Sequence, residues 1–428
     1  MKSIGKLLII FLVIVNYSVI AGDTNFSTIS RAKTLSLNGL YFAGTDGLQS
    51  VLGNPAMLSH LNSKQLEFFV TDNIGQYKYE NLKNNLFESY QDDDFSFGGG
   101  IFWSFSPSLT AALSYQRAID YKISWPFVNL FKTDSASSLL AFDYYNQITI
   151  DAASASVAIG FNNFSVGASI NLYYAEQHSA FPRSNEMWKQ GVGLAGYQIN
   201  YNQDGYSFGF NIGAALQISE KLRAGIMTKS GFSVDLDGSA ETRMFSDLDS
   251  ISSAVNLSGT FEIPWVLGAG LVYDWTDDLT INIDLQYSLW DGIQKTFDFT
   301  FDNSKWQQNL SSVDSLTAIT SSSFTLALKN SIDAGIGVQY KTSNVILRAG
   351  YRYSQSPNAD ITYNMLFPAV DQHIISAGVE YRMEKLIADV GLAYSFGVTR
   401  NINKESSLLA GKYSSDTYTP SVTLRYEL

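Results

Sequence analysis

Three histidines, His60, His178 and His373, are the side chains best suited to acid–base or metal chemistry at neutral pH, and they are widely scattered. None has the paired spacing of a zinc site. The chain has neither a Gly-x-Ser-x-Gly elbow nor a phosphate-cradling glycine loop. It contains no cysteine, which removes thiolate nucleophiles, thiolate metal sites, disulfides and a lipidated N-terminus. The carboxylate clusters Asp92–Asp94 and Asp277-Asp278 could hold Ca²⁺ or bridge lipopolysaccharide through divalent ions, but solvated loop charge accounts for them as simply. A lipase built from a serine and a histidine that meet in space is the remaining enzymatic alternative. The expectation is no enzyme, no cofactor and no metal.

The elements that would carry any binding residues are strands. From residue 64 to the C-terminus the sequence holds runs with period-2 apolar alternation. Tight joints fall at Phe105-Ser106-Pro107-Ser108, Phe161-Asn162-Asn163, Ser219-Glu220-Lys221, Trp275-Thr276-Asp277-Asp278, Lys341-Thr342-Ser343-Asn344 and Met383-Glu384-Lys385. Long polar segments alternate with them, at 72–94, 119–143, 176–204, 237–253, 291–330, 355–372 and 398–417. An up-and-down sheet puts every second connection at the same end, so this protein has one trimmed end and one elaborate end. Outer-membrane barrels have that asymmetry. The runs Ala254–Glu262 and Pro264–Trp275 leave no room for a hairpin, so they merge into one strand kinked at Pro264, which cannot donate to a ladder. The count becomes fourteen, an even number, as a single-chain bacterial barrel requires. The fold expected is all-β: a 14-stranded antiparallel transmembrane β-barrel with an N-terminal hatch in its lumen.

Composition agrees. Charged residues are 16% and aromatics 14% of the chain, with 25 Tyr and 27 Phe, whereas a soluble domain carries nearer a quarter charged. A net charge of −12 argues against nucleic acid as a partner, since phosphates demand basic surface. Lys2 and Lys6 precede the apolar run Leu7–Val15 and the small residues around Ala21, the pattern of a secretory signal peptide. The domains expected are therefore a signal peptide at 1–21, a hatch at 22–63 and the barrel at 64–428. A soluble lipocalin-like barrel would need far fewer strands and the opposite facing of its apolar residues.

Alternation assigns faces. Ile281, Ile283, Leu285, Tyr287 and Leu289 face lipid, leaving Asn282, Asp284, Gln286 and Ser288 inside, and Val422, Leu424, Tyr426 and Leu428 share the lipid face of the last strand. Tyr273, Tyr287, Tyr340, Tyr351 and Tyr381 fall where an interfacial girdle belongs. Inward positions of the second half carry charge: Asp284, Asp333, Arg348, Arg352, Glu380, Arg382, Asp389, Arg425 and Glu427. Those of the first half are small, among them Ser96, Gly98, Gly100, Ala112, Ala153, Ala155, Gly167 and Gly213, a wall that leaves volume for a plug, water or ligand. The segment 22–63 is the plug candidate. It lacks strand alternation, is rich in glycine and holds Asn54-Pro55-Ala56 among leucines too numerous for solvent.

The residues resemble the FadL family of outer-membrane transporters for hydrophobic compounds across essentially the whole mature chain. Leu52-Gly53-Asn54-Pro55-Ala56-Met57-Leu58 is similar to the Asn-Pro-Ala motif of that family's hatch. Further similarities are Asn162 to Gly167, Gly205 to Gly213 followed by Lys229-Ser230, Tyr287 to Trp290, Arg348 to Tyr351, Ser356-Pro357, Phe367-Pro368 and Asp371 to Gly378, in family order. The resemblance implies passive uptake of long-chain fatty acids or other hydrophobic compounds by a monomer in the outer membrane of a Gram-negative type cell. Ligand would be caught in a groove of two long outer loops, pass to a lumenal site, and leave sideways into membrane lipid. The matching loops are 176–204 and 237–253, whose apolar candidates are Phe181, Met187, Trp188, Leu194, Met244, Phe245 and Leu248. Lys329 falls where a carboxylate-holding cation is implied.

Two departures stand out. The region after Tyr173-Tyr174 reads Ala175-Glu176-Gln177, acidic where fatty-acid transporters are basic. The third strand has no glycine where a kink is implied, and Gly98-Gly99-Gly100 lie in the second strand instead. A lateral gap against strand two is the expectation. The alternative function is a barrel of this family used as a structural or secretion-linked scaffold. An open diffusion porin is disfavoured because the plug would block water.

Overall fold

The computed structural model describes residues 31–428 except 45–46, 62, 90–92, 127–142, 185–195, 245–253, 292, 294–295, 304–322, 326, 361–362, 364–365 and 404–409. The signal-peptide region and the start of the expected hatch lie outside the described residues.

Fourteen antiparallel strands close into a barrel. They are β1 (Gln65–Asn81), β2 (Asp93–Ser106), β3 (Leu109–Pro126), β4 (Asp143–Gly160), β5 (Phe164–Ser184), β6 (Gly196–Ser219) and β7 (Leu222–Lys229 and Phe232–Met244). Then come β8 (Ala254–Ile263 and Val266–Asp274), β9 (Leu279–Ser288), β10 (Ser331–Lys341), β11 (Val345–Ser354), β12 (Gln372–Met383), β13 (Leu386–Gly397) and β14 (Gly411–Glu427). β1 pairs with β2 on one side and with β14 on the other, from Gln65↔Glu427 to Asn81↔Gly411, so the ring has no free edge. Closure is the condition for a sheet to live in lipid, where an unpaired backbone group has no water to bond.

All six tight joints are turns between consecutive strands at one end. In the last of them Glu384 takes a φ of 48°, the left-handed conformation that two-residue hairpins favour. β8 does break at Pro264-Trp265, and its neighbour β7 breaks beside it at Ser230-Gly231. The face assignments of β9 and β14 hold: Asn282 and Asp284 are buried, while Ile283, Leu285 and Leu424 lie on the outer surface. Tyr273, Tyr340, Tyr351 and Tyr381 are also exposed there, joined by Trp103 and Trp275.

Two expectations need correction. Ala153 and Ala155 face outward, and Ala152, Ser154 and Ser156 face the lumen. With small residues on both faces, hydropathy could not set the phase of β4; Val157 and Ile159, exposed on the odd positions, do. Much of the expected loop length is also ladder. β5 and β6 pair out to Ser184↔Gly196, and β3 and β4 out to Pro126↔Asp143. Beyond the apolar band, positions such as Gln177, Ser179, Asn202 and Gln203 are polar on both faces, so alternation disappears while backbone pairing continues.

The described residues of 31–61 sit inside the ring as α1 (Ala32–Leu35), α2 (Gly47–Leu52) and a 3₁₀ turn, Pro55–His60. They fill the small-residue wall: Leu48, Val51, Leu58 and Leu61 pack on Phe69, Phe102, Ala112 and Ala158.

Candidate functional site: a plugged lumen and the cavity above it

The Asn54-Pro55-Ala56 turn is held by its own chemistry. Asn54 Oδ1 caps the turn by accepting from the Ala56 amide at 3.2 Å, and Pro55 occupies the first helical position, where a missing N–H costs nothing. Asn54 Nδ2 then donates to the carbonyls of Phe42 (2.9 Å) and Ala214 (3.2 Å), tying plug to plug and plug to β6. Wall glycines make the approach possible: a Cβ at Gly213 would overlap Asn54 Oδ1, and one at Gly167 would overlap the Pro55 backbone.

Charge secures the other side. Arg31 Nη1 meets Glu67 Oε1 of β1 at 2.6 Å, both side chains fully buried. The Ala32 amide donates to Thr423 of β14 at 3.2 Å. Asp284 of β9 accepts from the Phe42 amide (2.7 Å), Asn38 Nδ2 (3.1 Å) and Asn282 Nδ2 (2.6 Å). Around these, Arg348 pairs with both Glu380 and Asp389, and Arg382 reaches Glu380 at 2.6 Å. Burial, with the Arg348 and Arg425 guanidinium groups nearby, pushes the Lys33 amine of the plug well below the usual lysine range.

Above the plug lies a cavity of about 50 Å³. Its apolar lining includes Leu40, Phe42 and Leu52 of the plug with Ile119, Met227, Ile263, Pro264 and Trp290 of the barrel. Its polar side carries Lys229, Arg352, Asp333, Gln286 and Gln355. Lys229 is buried, its amine 5.9 Å from the Tyr173 ring centroid, and Tyr173 stacks on Phe232 at 4.1 Å. Asp333 accepts from Gln286 Nε2 at 3.1 Å. Lys229, Arg352 and Asp333 thus line one cavity. On the short-turn side of the plug a wider, polar recess of about 370 Å³ is lined by Lys33, His60, Arg223, Asp274, Arg425 and Glu427.

The wall is not uniformly zipped. β2 pairs with β1 from Asp93 onward, but its ladder with β3 begins only at Gly98↔Gln116. Just beyond, β3 bulges between Arg117 and Ile119, and Ala118 to Tyr121 and Ile123 to Trp125 are buried. Ser96 of β2 donates to Asp120 of β3 across the break at 3.1 Å, and on the β4 side of the bulge Arg117 meets Asp151 at 2.9 Å and Asp120 at 3.4 Å.

The family model for outer membrane protein transport protein (OMPP1/FadL/TodX) matches residues 39–427. The chain belongs to this family. Solved structures agree in fold. A Pseudomonas aeruginosa FadL homologue superposes with TM-score 0.74 at 15% identity, covering 96% of this chain and 100% of that one. The P. putida toluene transporter TodX gives 0.72 at 16%, with 94% and 99% covered. The monoaromatic hydrocarbon channel CymD gives 0.67 at 16%, with 95% and 99% covered. No curated protein matches at a significant level.

In this FadL/TodX-family barrel the expected site residues scatter. Asn54, Pro55 and Ala56 are at the heart of the plug. Gly98, Gly99 and Gly100 lie within the β2 ladder, Gly98 being the last residue paired with β3 below the break. Phe181 belongs to β5, paired with Ile199, and Met244 ends β7, paired with Tyr197. Met187, Trp188, Leu194, Phe245 and Leu248 lie outside the described residues. Lys329 is exposed, its amide donating to Pro357 O at 2.7 Å, and does not line the cavity. The cavity cations are Arg352, an inward charge in the sequence, and Lys229, which the sequence offered only as part of a motif. Its cue is a lone lysine between Met227 and Phe232 on an otherwise apolar inner face.

Proposed function

We propose that this family member takes up hydrophobic compounds across the outer membrane without energy input, as a monomer. The observation that carries the reading is the cavity over the plug, whose lining combines apolar side chains with two cations, Lys229 and Arg352. Ligand first partitions onto the outer rim, where Phe181, Met187, Trp188, Leu194, Met244, Phe245 and Leu248 supply apolar surface worth about 25 cal/mol per Å² buried. Lys329 at the rim, and then Lys229 and Arg352 in the cavity, suit a carboxylate head. A neutral aromatic ring needs only the apolar side, in line with relatives described as toluene and monoaromatic hydrocarbon channels. The exit is sideways into lipid where β3 leaves β2 above Gly98, with Gly98, Gly99 and Gly100 as its lower lip. Drug-sized ligands need roughly 300 Å³ or more, so the plug around Asn54, Pro55 and Ala56 must shift for passage. The same close filling favours the second reading, a scaffold that never opens.

The test is native mass spectrometry of the purified barrel offered palmitate and an alkylbenzene in competition. Palmitate is expected to be retained and to bind about 10- to 100-fold more weakly to Lys229→Ala, the effect of losing a charged hydrogen bond. Retention of the alkylbenzene alone would make this a hydrocarbon transporter. Retention of neither would leave the scaffold.

A further inference from the structure

The connection between β11 and β12, residues 355–371, reads in the sequence as a polar outer loop. Its described residues fold inward instead: Ala359, Tyr363, Leu366, Phe367, Ala369 and Val370 are buried. Phe367 lies flat on Tyr121 of β3, with centroids 5.5 Å apart and planes at 14°. The Leu366 carbonyl accepts from the Tyr121 hydroxyl and, at 3.5 Å, from Asn146 Nδ2 of β4. The connection therefore reaches past β13, β14, β1 and β2 to touch the wall opposite its own attachment.

Arg400 gathers its outer part, helped by the Lys329 amide on Pro357 O at 2.7 Å and by Tyr363 edge-on to Tyr413 at 4.6 Å. Arg400 sits on a short strand, Arg400–Ile402, that pairs with β14 and so belongs to the wall. Its Nε and Nη2 donate to Asp360 Oδ1 at 2.8 and 2.6 Å, and Nη2 also donates to Asn358 O at 2.6 Å. Nη1 donates to Ser356 Oγ at 3.2 Å and Ala369 O at 3.3 Å, and the guanidinium lies 4.9 Å from the Tyr363 ring centroid. Every one of these contacts is to residues 355–371.

The Tyr121 and Arg400 attachments differ in kind. Tyr121 offers a flat ring face that a flat apolar molecule can cover, with one hydroxyl donated to the Leu366 carbonyl. The Arg400 contact is directional and partly wet, since the Asp360 side chain is 69% exposed. We propose that the described residues of this connection, 355–360, 363 and 366–371, are an outer cork: Leu366 and Phe367 occupy the aromatic shelf on Tyr121 by which an apolar ligand reaches the lumen, and Arg400 is the latch. The proposal rests on the transport reading and adds a second closure, opposite the plug. Exchanging Phe367 for a flat ligand keeps the apolar area of Tyr121 covered, so the latch sets how often the cork is out.

The test uses the full-length barrel and naphthalene as probe, with binding followed by tryptophan fluorescence. Arg400→Ala is expected to raise the binding rate about tenfold, the effect of losing one net charged contact, and to make the connection more sensitive to added protease. Because the chain has no cysteine, Leu366→Cys with Asn146→Cys places a single thiol pair across the mouth. Oxidising that pair should stop naphthalene binding, and reduction should restore it. Equal rates in wild type, Arg400→Ala and the oxidised pair would overturn the cork. If the pair does not oxidise, Arg400→Ala decides alone. If wild type binds no apolar probe, the transport reading fails, and the protease assay still judges the cork: unchanged cleavage in Arg400→Ala sinks it.

Discussion

The lumen has two storeys built on different physics. The lower one, at the plug, is held by directional contacts: Arg31 to Glu67, Asp284 to three donors, Asn54 to two carbonyls. The upper one is an aromatic and aliphatic lining, with Tyr121 on Phe367, Tyr173 on Phe232 and Tyr201 beside Phe299. A directional lock resists partial displacement, because each broken bond leaves a buried group without its partner. An apolar lining can trade one neighbour for another at little cost. A channel for hydrophobic cargo needs both, a seal below that stays shut to water and a surface above that accepts substitutes.

That contrast can be broken from its strongest member downward. Glu67→Ala removes the buried carboxylate that both Arg31 and Arg425 approach and is expected to cost about 3–5 kcal/mol of plug docking. Planar-bilayer recordings should then show steady conductance where the parent is closed. Gly213→Val forces a side chain into the space of Asn54 Oδ1 and should cost about 1–3 kcal/mol, as overpacking does. Faster hydrogen exchange at residues 54–58, with the barrel amides unchanged, is the signature. Arg382→Ala serves as the control that sharpens the comparison. Its side chain is 49% exposed at the edge of the ionic network, so its loss should change thermal stability by less than about 1 kcal/mol and leave conductance unaltered.

The sequence made the ring legible because a membrane barrel writes its constraints in a simple code: alternation where lipid meets one face, and short turns at one end only. Even the Pro264 break followed, since proline in a ladder has few places to go. The code fails where its physical cause stops. Ala153 and Ala155 were misassigned because small residues on both faces carry no phase. The outer halves of β5 and β6 were invisible because, above lipid, pairing no longer requires an apolar face. Lys229 and the inward fold of 355–371 depend on which strands face one another across the lumen, a relation that period and turn length do not encode. For Phe367-Pro368 the sequence did hold a cue, an apolar pair in a stretch that otherwise suits solvent.

Arg31 and Ala32 join β1 to β14 through Glu67 and Thr423, the two strands that meet last along the chain. The plug is thereby a clasp on the seam of the cylinder as well as a stopper in its bore. Arg31 on Glu67 adds to a buried pair that already crosses the seam, Arg425 of β14 with Glu67 at 3.7 Å, so filling the bore strengthens the closed ring. A barrel zipped around an empty bore would keep its seam but lose the two contacts that the plug adds across it.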